Sequence, residues 1–184
     1  MSGTGNDAKV IGLINEWVVK NIVPLARAYL HKGGWENWAQ VNLALYLQDH
    51  AHEKFGMYPE HTTVQREVNV YQNKDRADLV FGFAPTSQEF VIELKCESWH
   101  NGQNFGKEVV KDFNKVTEGQ LKTLFKDAAV YSVAISVSAE GIAELAKKPA
   151  LATTYHSNMD KPIMGEVHQD VDWAGVVVWW FRRK

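Results

Sequence analysis

The stretch Arg76-Ala77-Asp78-Leu79-Val80, followed by Val91-Ile92-Glu93-Leu94-Lys95, decides how this chain folds. Phe90, Ile92, Leu94 and Cys96 alternate with Glu93, Lys95 and Glu97. A strand here turns its apolar side chains into a core and gathers its charges on the other face. Asp78 lies in a similar run, where Ala77, Leu79, Phe81 and Phe83 alternate with Asp78 and Val80. Paired as a hairpin, the two runs bring Asp78 beside Glu93, so that one wall carries two acids and a lysine.

Those residue types suit one kind of chemistry. Hydrolysis of a phosphodiester brings water to a phosphorus that is already surrounded by negative charge. Hard divalent cations held by carboxylate oxygens neutralise that charge and activate the water. Asp78 and Glu93 are suitable hard ligands, and the backbone carbonyl of Leu94, between the second acid and the lysine, completes such a shell. Lys95 offers a compact positive charge to orient the water or stabilise the transition state.

An acid, a variable gap and then acid-x-lysine is the pattern of the PD-(D/E)XK nuclease superfamily, which the chain resembles at Asp78 and at Glu93-Leu94-Lys95. Ala77 stands where that pattern has proline. The resemblance implies a restriction-endonuclease-like α/β fold: a mixed central sheet of about five strands flanked by helices. It also implies metal-ligand roles for Asp78 and Glu93, the lysine role for Lys95, and magnesium or manganese as the cofactor. It spans roughly the central and C-terminal two-thirds of the chain, and acid-x-lysine alone is a short motif that needs its structural context.

The rest of the chain supplies that context. Lys9 to Leu30 and Trp35 to Phe55 have helical spacing, with Gly33-Gly34 between them and Pro24 as a kink point in the first. Val64 to Tyr71 reads as a strand, Gln72-Asn73-Lys74-Asp75 as a turn, and Pro85-Thr86-Ser87 as the turn between the two motif strands. Lys107 to Lys126 reads as a helix, Ala129 to Ser138 as a strand, Gly141 to Lys148 as a short helix and Ala174 to Arg182 as a final strand. The expected organisation is one nuclease domain over 1–184, with an N-terminal helical pair in 1–60 and a sheet-containing catalytic core in 61–184.

Composition sets outer limits. The 184 residues are 45% hydrophobic, enough to bury one sizeable core, and no internal repeat is visible. A single cysteine, Cys96, excludes an intramolecular disulfide and suits a reducing, cytoplasmic setting; its inward direction favours a packed thiol over a nucleophile. No signal-peptide pattern and no membrane-spanning stretch is present, so no membrane partner is expected. The formal net charge is −2, so attraction to nucleic acid has to come from a local basic surface.

Lys107, Lys111, Lys115, Lys122 and Lys126 supply one candidate, falling within an arc of about 100° on a continuous helix. That stripe reads either as a nucleic-acid contact or as a solvated face, and Gly119 is a point where the helix can break. Gln120 falls on the apolar side of the same helix. The resemblance implies a polar helix residue reaching the active site, which Gln120 matches; a helix-end amide bonded to backbone is the alternative. Glu67, in the strand before Asp78, is a further catalytic candidate. Glu36 matches an N-terminal helical acid that some superfamily members add as a metal ligand, though an acid in a first helical turn also fits the helix dipole.

Weaker constellations read structurally. His50 and His52 are two apart on a helix, point to different sides and make a poor metal pair. Trp179 to Lys184 reads as a core strand with a basic tail, and Trp99 to Asn104 as a polar connection bordering the pocket. The function expected is a magnesium-dependent DNA endonuclease. The alternative is a catalytically inactive nuclease-fold binding or immunity module. Nucleic acid, DNA before RNA, is the expected partner, with a second copy of the chain or a cognate inhibitor protein left open.

Overall fold

The apolar side chains of the strands determine the architecture, because β2 (Ala77–Phe83), β3 (Gln88–Cys96) and β4 (Ala129–Ser138) bury residues on both sheet faces, each face beneath helices. The computed structural model describes residues 4–31, 35–84, 86–148, 150–156 and 173–183. The order of elements is α1 (Thr4–Tyr29), α2 (Glu36–Phe55), β1 (Thr62–Val68), β2 (Ala77–Phe83), β3 (Gln88–Cys96), α3 (Gly102–Glu118), β4 (Ala129–Ser138), α4 (Ala139–Ala146), β5 (Ala152–His156) and β6 (Trp173–Arg182). The chain is α/β, with a mixed six-stranded sheet in the order β1-β2-β3-β4-β6-β5. β1, β2 and β3 form an antiparallel meander, β4 runs parallel to β3, and β6 is antiparallel to both β4 and β5. Parallel neighbours need a crossover, which α3 supplies.

One sheet face presents Leu79, Phe81, Phe90, Ile92, Leu94, Tyr131, Val133 and Ile135 to the helical pair, where they pack with Trp17, Leu25, Leu43 and Leu47. Phe81 and Phe90 stack across the hairpin with centroids 4.7 Å apart. The opposite face is split into two apolar clusters beneath α3 and α4, one around Tyr71, Val80, Val91 and Val116 and one around Phe105, Val109, Leu145 and Trp179. Glu93 and Lys95 lie on this second face. α1 and α2 are tied to each other by Trp17 Nε1 donating to Asn42 Oδ1 (2.8 Å) and by a Lys54–Glu16 ion pair (2.5 Å). Among the described residues no helix is long and apolar enough to cross a membrane.

The structure corrects the expected elements in three places. β5 adds a sixth strand where about five were expected; Ala152–His156, Ala-Thr-Thr-Tyr-His, has no apolar/polar alternation to mark it as a strand. The strand expected to reach Tyr71 ends at Val68, and Val70 and Tyr71 pair instead with the segment after α3. The helix expected over 107–126 starts at Gly102 and stops at Glu118. Beyond it Gly119 is extended (φ −62, ψ 127), Gln72 N donates to Gln120 O (2.9 Å) and Lys122 N to Val70 O (2.9 Å). The helix ends because that segment exchanges helical hydrogen bonds for a bridge to the chain after β1.

Gly119 is required there by crowding rather than by its backbone angles. A Cβ at this position would overlap the Lys115 carbonyl oxygen and lie 2.8 Å from the Tyr71 ring. Gly119→Ala is therefore expected to displace Tyr71 and destabilise the protein by about 1–3 kcal/mol in urea denaturation. A change within about 0.5 kcal/mol, the range of ordinary surface substitutions, would mean that the Tyr71 contact yields freely.

Candidate active site

The site forms where two strands stop pairing. The β2–β3 ladder runs from Phe83↔Gln88 to Leu79↔Ile92 and ends there, although β3 continues to Cys96. Beyond that point Leu94 and Cys96 are buried and their backbone N–H groups need acceptors. Two carboxylates provide them: Leu94 N donates to Asp78 Oδ2 (2.6 Å) and Cys96 N to Glu36 Oε2 (3.1 Å). Asp78 is at the start of β2, and Glu36 is in the first turn of α2. Trp35 Nε1 donates to Glu97 O (2.7 Å), fixing the start of α2 on the end of β3. A strand residue directs its N–H and C=O to the same edge, so the Leu94 carbonyl lies on the Asp78 side.

Glu93 is only 2% exposed, and both of its oxygens are engaged. Tyr71 OH donates to Oε1 (2.9 Å) and Lys115 Nζ to Oε2 (2.8 Å). Lys115 comes from α3, also donates to the Arg76 carbonyl and lies 5.2 Å from the Tyr71 ring centroid. Lys95 Nζ is 3.0 Å from Glu36 Oε1 and 3.8 Å from Asp112 Oδ2. The cluster reaches solvent, since the side chains of Glu36, Lys95 and Lys115 are 27%, 20% and 23% exposed.

Asp78, Glu93, Lys95 and Glu36, all candidates from the sequence, thus come together. Glu67 does not join them; it is exposed and has a left-handed backbone (φ 53), interrupting the ladder between Arg66↔Leu79 and Val68↔Ala77. Gln120 is also a correction: it lies beyond the end of α3, exposed, and not on an apolar helix face. The lysine stripe divides. Lys107 and Lys111 are exposed on α3, Lys115 turns inward to Glu93, and Lys122 and Lys126 lie outside the helix. The polar residues by which α3 reaches the site are Asp112 and Lys115, and Tyr71 joins from the segment after β1. Glu108, Asp112 and Lys115, spaced by four and three, form a polar line along one side of the helix; that spacing was the available signal.

Electrostatics follow from burying like charges together. Burial pushes the Asp78 carboxyl up to about 6, against the Leu94 N–H that favours its ionised form and with Glu36 and Asp112 adding to the rise. Burial pushes Glu93 up to about 7, against the pull of Lys115. Asp112 is raised by burial too, with Lys95 opposing. For Lys95, burial acts downward, but Glu36 and Asp112 outweigh it and hold the ammonium up at about 12. Burial raises the Cys96 thiol well above its ordinary range, in keeping with a packed rather than a reactive sulfur.

The donor set suits a hard cation. Four carboxyl groups, Asp78, Glu93, Glu36 and Asp112, are gathered with two ammonium groups, an excess of two negative charges when all four are ionised. As the side chains are arranged, no three His, Cys, Asp or Glu residues among those described are grouped closely enough to hold a metal ion. In this arrangement Asp78 Oδ2 accepts from Leu94 N, and Glu93 accepts from Tyr71 and Lys115. Compared with known proteins, the chain matches no family model, no curated protein and no solved structure.

A carboxyl raised by burial binds its proton more tightly in the folded than in the unfolded chain. Its stabilising contribution is complete below the unfolded value of about 4 and is lost as pH rises to the folded one. The share of stability owed to Glu93 therefore falls from about pH 4 to about pH 7. Glu93→Gln should flatten that fall in urea denaturation. Lys115→Met should steepen it, destabilising by about 3–5 kcal/mol near pH 8, where Glu93 loses its cationic partner and must either stay charged beside Tyr71 alone or take up a proton, and by less near pH 5. Equal losses at both pH values would remove Lys115 as the partner of Glu93.

Proposed function

We propose that this chain is a metal-dependent nuclease of restriction-endonuclease-like fold that hydrolyses phosphodiester bonds in DNA. The observation that carries the reading is the junction at the end of the β2–β3 ladder. There Asp78 accepts from the backbone inside Glu93-Leu94-Lys95, the motif's second element. The order of elements supports it: a helical pair, a three-strand antiparallel meander, a crossover helix and a parallel strand. The single buried cysteine fits a reducing, cytoplasmic setting.

Asp78 and Glu93, with the Leu94 carbonyl and Glu36, are the groups that would hold magnesium or manganese, which when bound would polarise the phosphate and lower the pKa of the attacking water. Lys95, held charged by Glu36 and Asp112, donates hydrogen bonds at the attacked phosphate and does not take the water's proton. Lys115 neutralises Glu93 and stands ready as a second donor toward phosphate oxygens. Burial of Asp78 and Glu93 lowers the local dielectric, which strengthens each of these interactions.

The second reading, a catalytically inactive binding or immunity module, draws on the same geometry, because both Glu93 oxygens are already bonded within the protein. Cleavage of plasmid, linear and single-stranded DNA and of RNA, with magnesium, manganese or chelator, separates the two. Asp78→Ala should abolish cleavage and weaken metal binding in calorimetry, while Lys95→Ala should slow turnover by about 10²-fold or more and leave metal binding equal or stronger. Absence of cleavage by the wild type under every condition would favour the inactive module, and wild-type cleavage by a folded Lys95→Ala variant would remove the lysine from the chemistry.

A further inference from the structure

The bridge that ends α3 also builds a basic groove beside the site. The chain after β1, the segment after α3, the approach to β4 and the end of β6 meet around a groove of about 560 Å³ lined by Gln72, Gln120, Lys126, Asp127, Arg182 and Arg183, among others. Three cationic side chains line it, Lys126, Arg182 and Arg183, with one lining carboxylate, Asp127; Arg182 is also paired with Asp7 of α1 (3.2 Å), so Lys126 and Arg183 carry the groove's excess positive charge in a protein whose formal net charge is −2. The groove adjoins the cluster through Tyr71. Gln72 N donates to Gln120 O (2.9 Å) on one side of Tyr71, and the Tyr71 hydroxyl reaches Glu93 (2.9 Å) on the other. Arg183 is anchored by donating to Gly119 O (2.6 Å), close enough to the Tyr71 hydroxyl for its charge to act there.

Guanidinium forks and side-chain amides are donors suited to phosphate oxygens. None of the lining residues among those described is aromatic, so the groove has no platform for stacking bases. We propose that it holds the sugar-phosphate backbone of the nucleic acid flanking the scissile phosphate, binding it without reading sequence. This rests on the nuclease reading and extends it, and it moves the basic surface from the α3 lysine stripe to Lys126 and Arg183.

The test is binding of a short labelled DNA duplex, followed by fluorescence anisotropy in chelator, so that no cleavage enters the measurement. Lys126→Glu and Arg183→Gln are compared with wild type and with a control reversal at the exposed Lys147, Lys147→Glu, just after the end of α4. Each groove variant should weaken binding about tenfold at low salt and reduce the slope of log affinity against log salt by about one. The control should leave the slope unchanged. Arg183 also supports Gly119, whereas the exposed Lys126 has Asp127, at 3.9 Å, as its ion-pair partner among the described residues, so Lys126→Glu tests the groove at an exposed side chain. Wild-type affinity and slope in Lys126→Glu, or an equal effect from Lys147→Glu, would overturn the groove alone. Absence of DNA binding by the wild type would overturn the nuclease reading along with it.

Discussion

The structure depends on how β3 ends. A strand that outlasts its neighbour leaves buried backbone donors, and an unsatisfied one costs about 1–3 kcal/mol. Here the missing strand is replaced by side chains: Asp78 accepts from Leu94 and Glu36 from Cys96. Two acids needed to complete the backbone are thereby held within reach of Glu93 and Lys95. The same atoms serve folding and charge clustering, so the cluster is as well ordered as the sheet edge that it completes.

The lysines are the counterpart of that arrangement. Lys95 lies between Glu36 and Asp112, and Lys115 holds Glu93, so each ammonium is shared between separate elements of the fold. Neither is a loose surface charge, and together they balance half of the carboxylate charge gathered there. The upward shifts of Asp78, Glu93 and Asp112 come first from burial, with the neighbouring carboxylates adding a smaller push.

The parts of this arrangement that were legible in the sequence are those governed by local alternation. The Ala77–Phe83 and Gln88–Cys96 runs carry their face assignment in every second residue, and Asp78, Glu93 and Lys95 follow from it. Glu36 was legible as a position but ambiguous in role, because an acid in a first helical turn looks the same whether it meets a dipole or a site. The end of α3 was hidden. It turns on Gly119 fitting beneath Tyr71, a contact between residues far apart in sequence, and with the helix continued in register Gln120 was assigned to the wrong face. Lys115 was read outward because a helical wheel places its Cα near the border of the polar arc, while the long stem can carry the ammonium to either side.

The attachment of α2 to the end of β3 has a consequence for how the molecule opens. Trp35 holds the Glu97 carbonyl, and Glu36 holds both the Cys96 amide and the Lys95 ammonium. The helical layer cannot lift from the sheet at this end without breaking the Lys95 charge pair and uncovering the Cys96 backbone. Local opening of one is opening of the other, so the Cys96 amide, held by Glu36 of α2, should exchange with solvent only in motions that break the Lys95 pair, and the Leu94 amide only in motions that free it from Asp78. The amide protons at the end of one strand thereby become reporters on the intactness of the whole charge assembly, independent of whether any substrate is present.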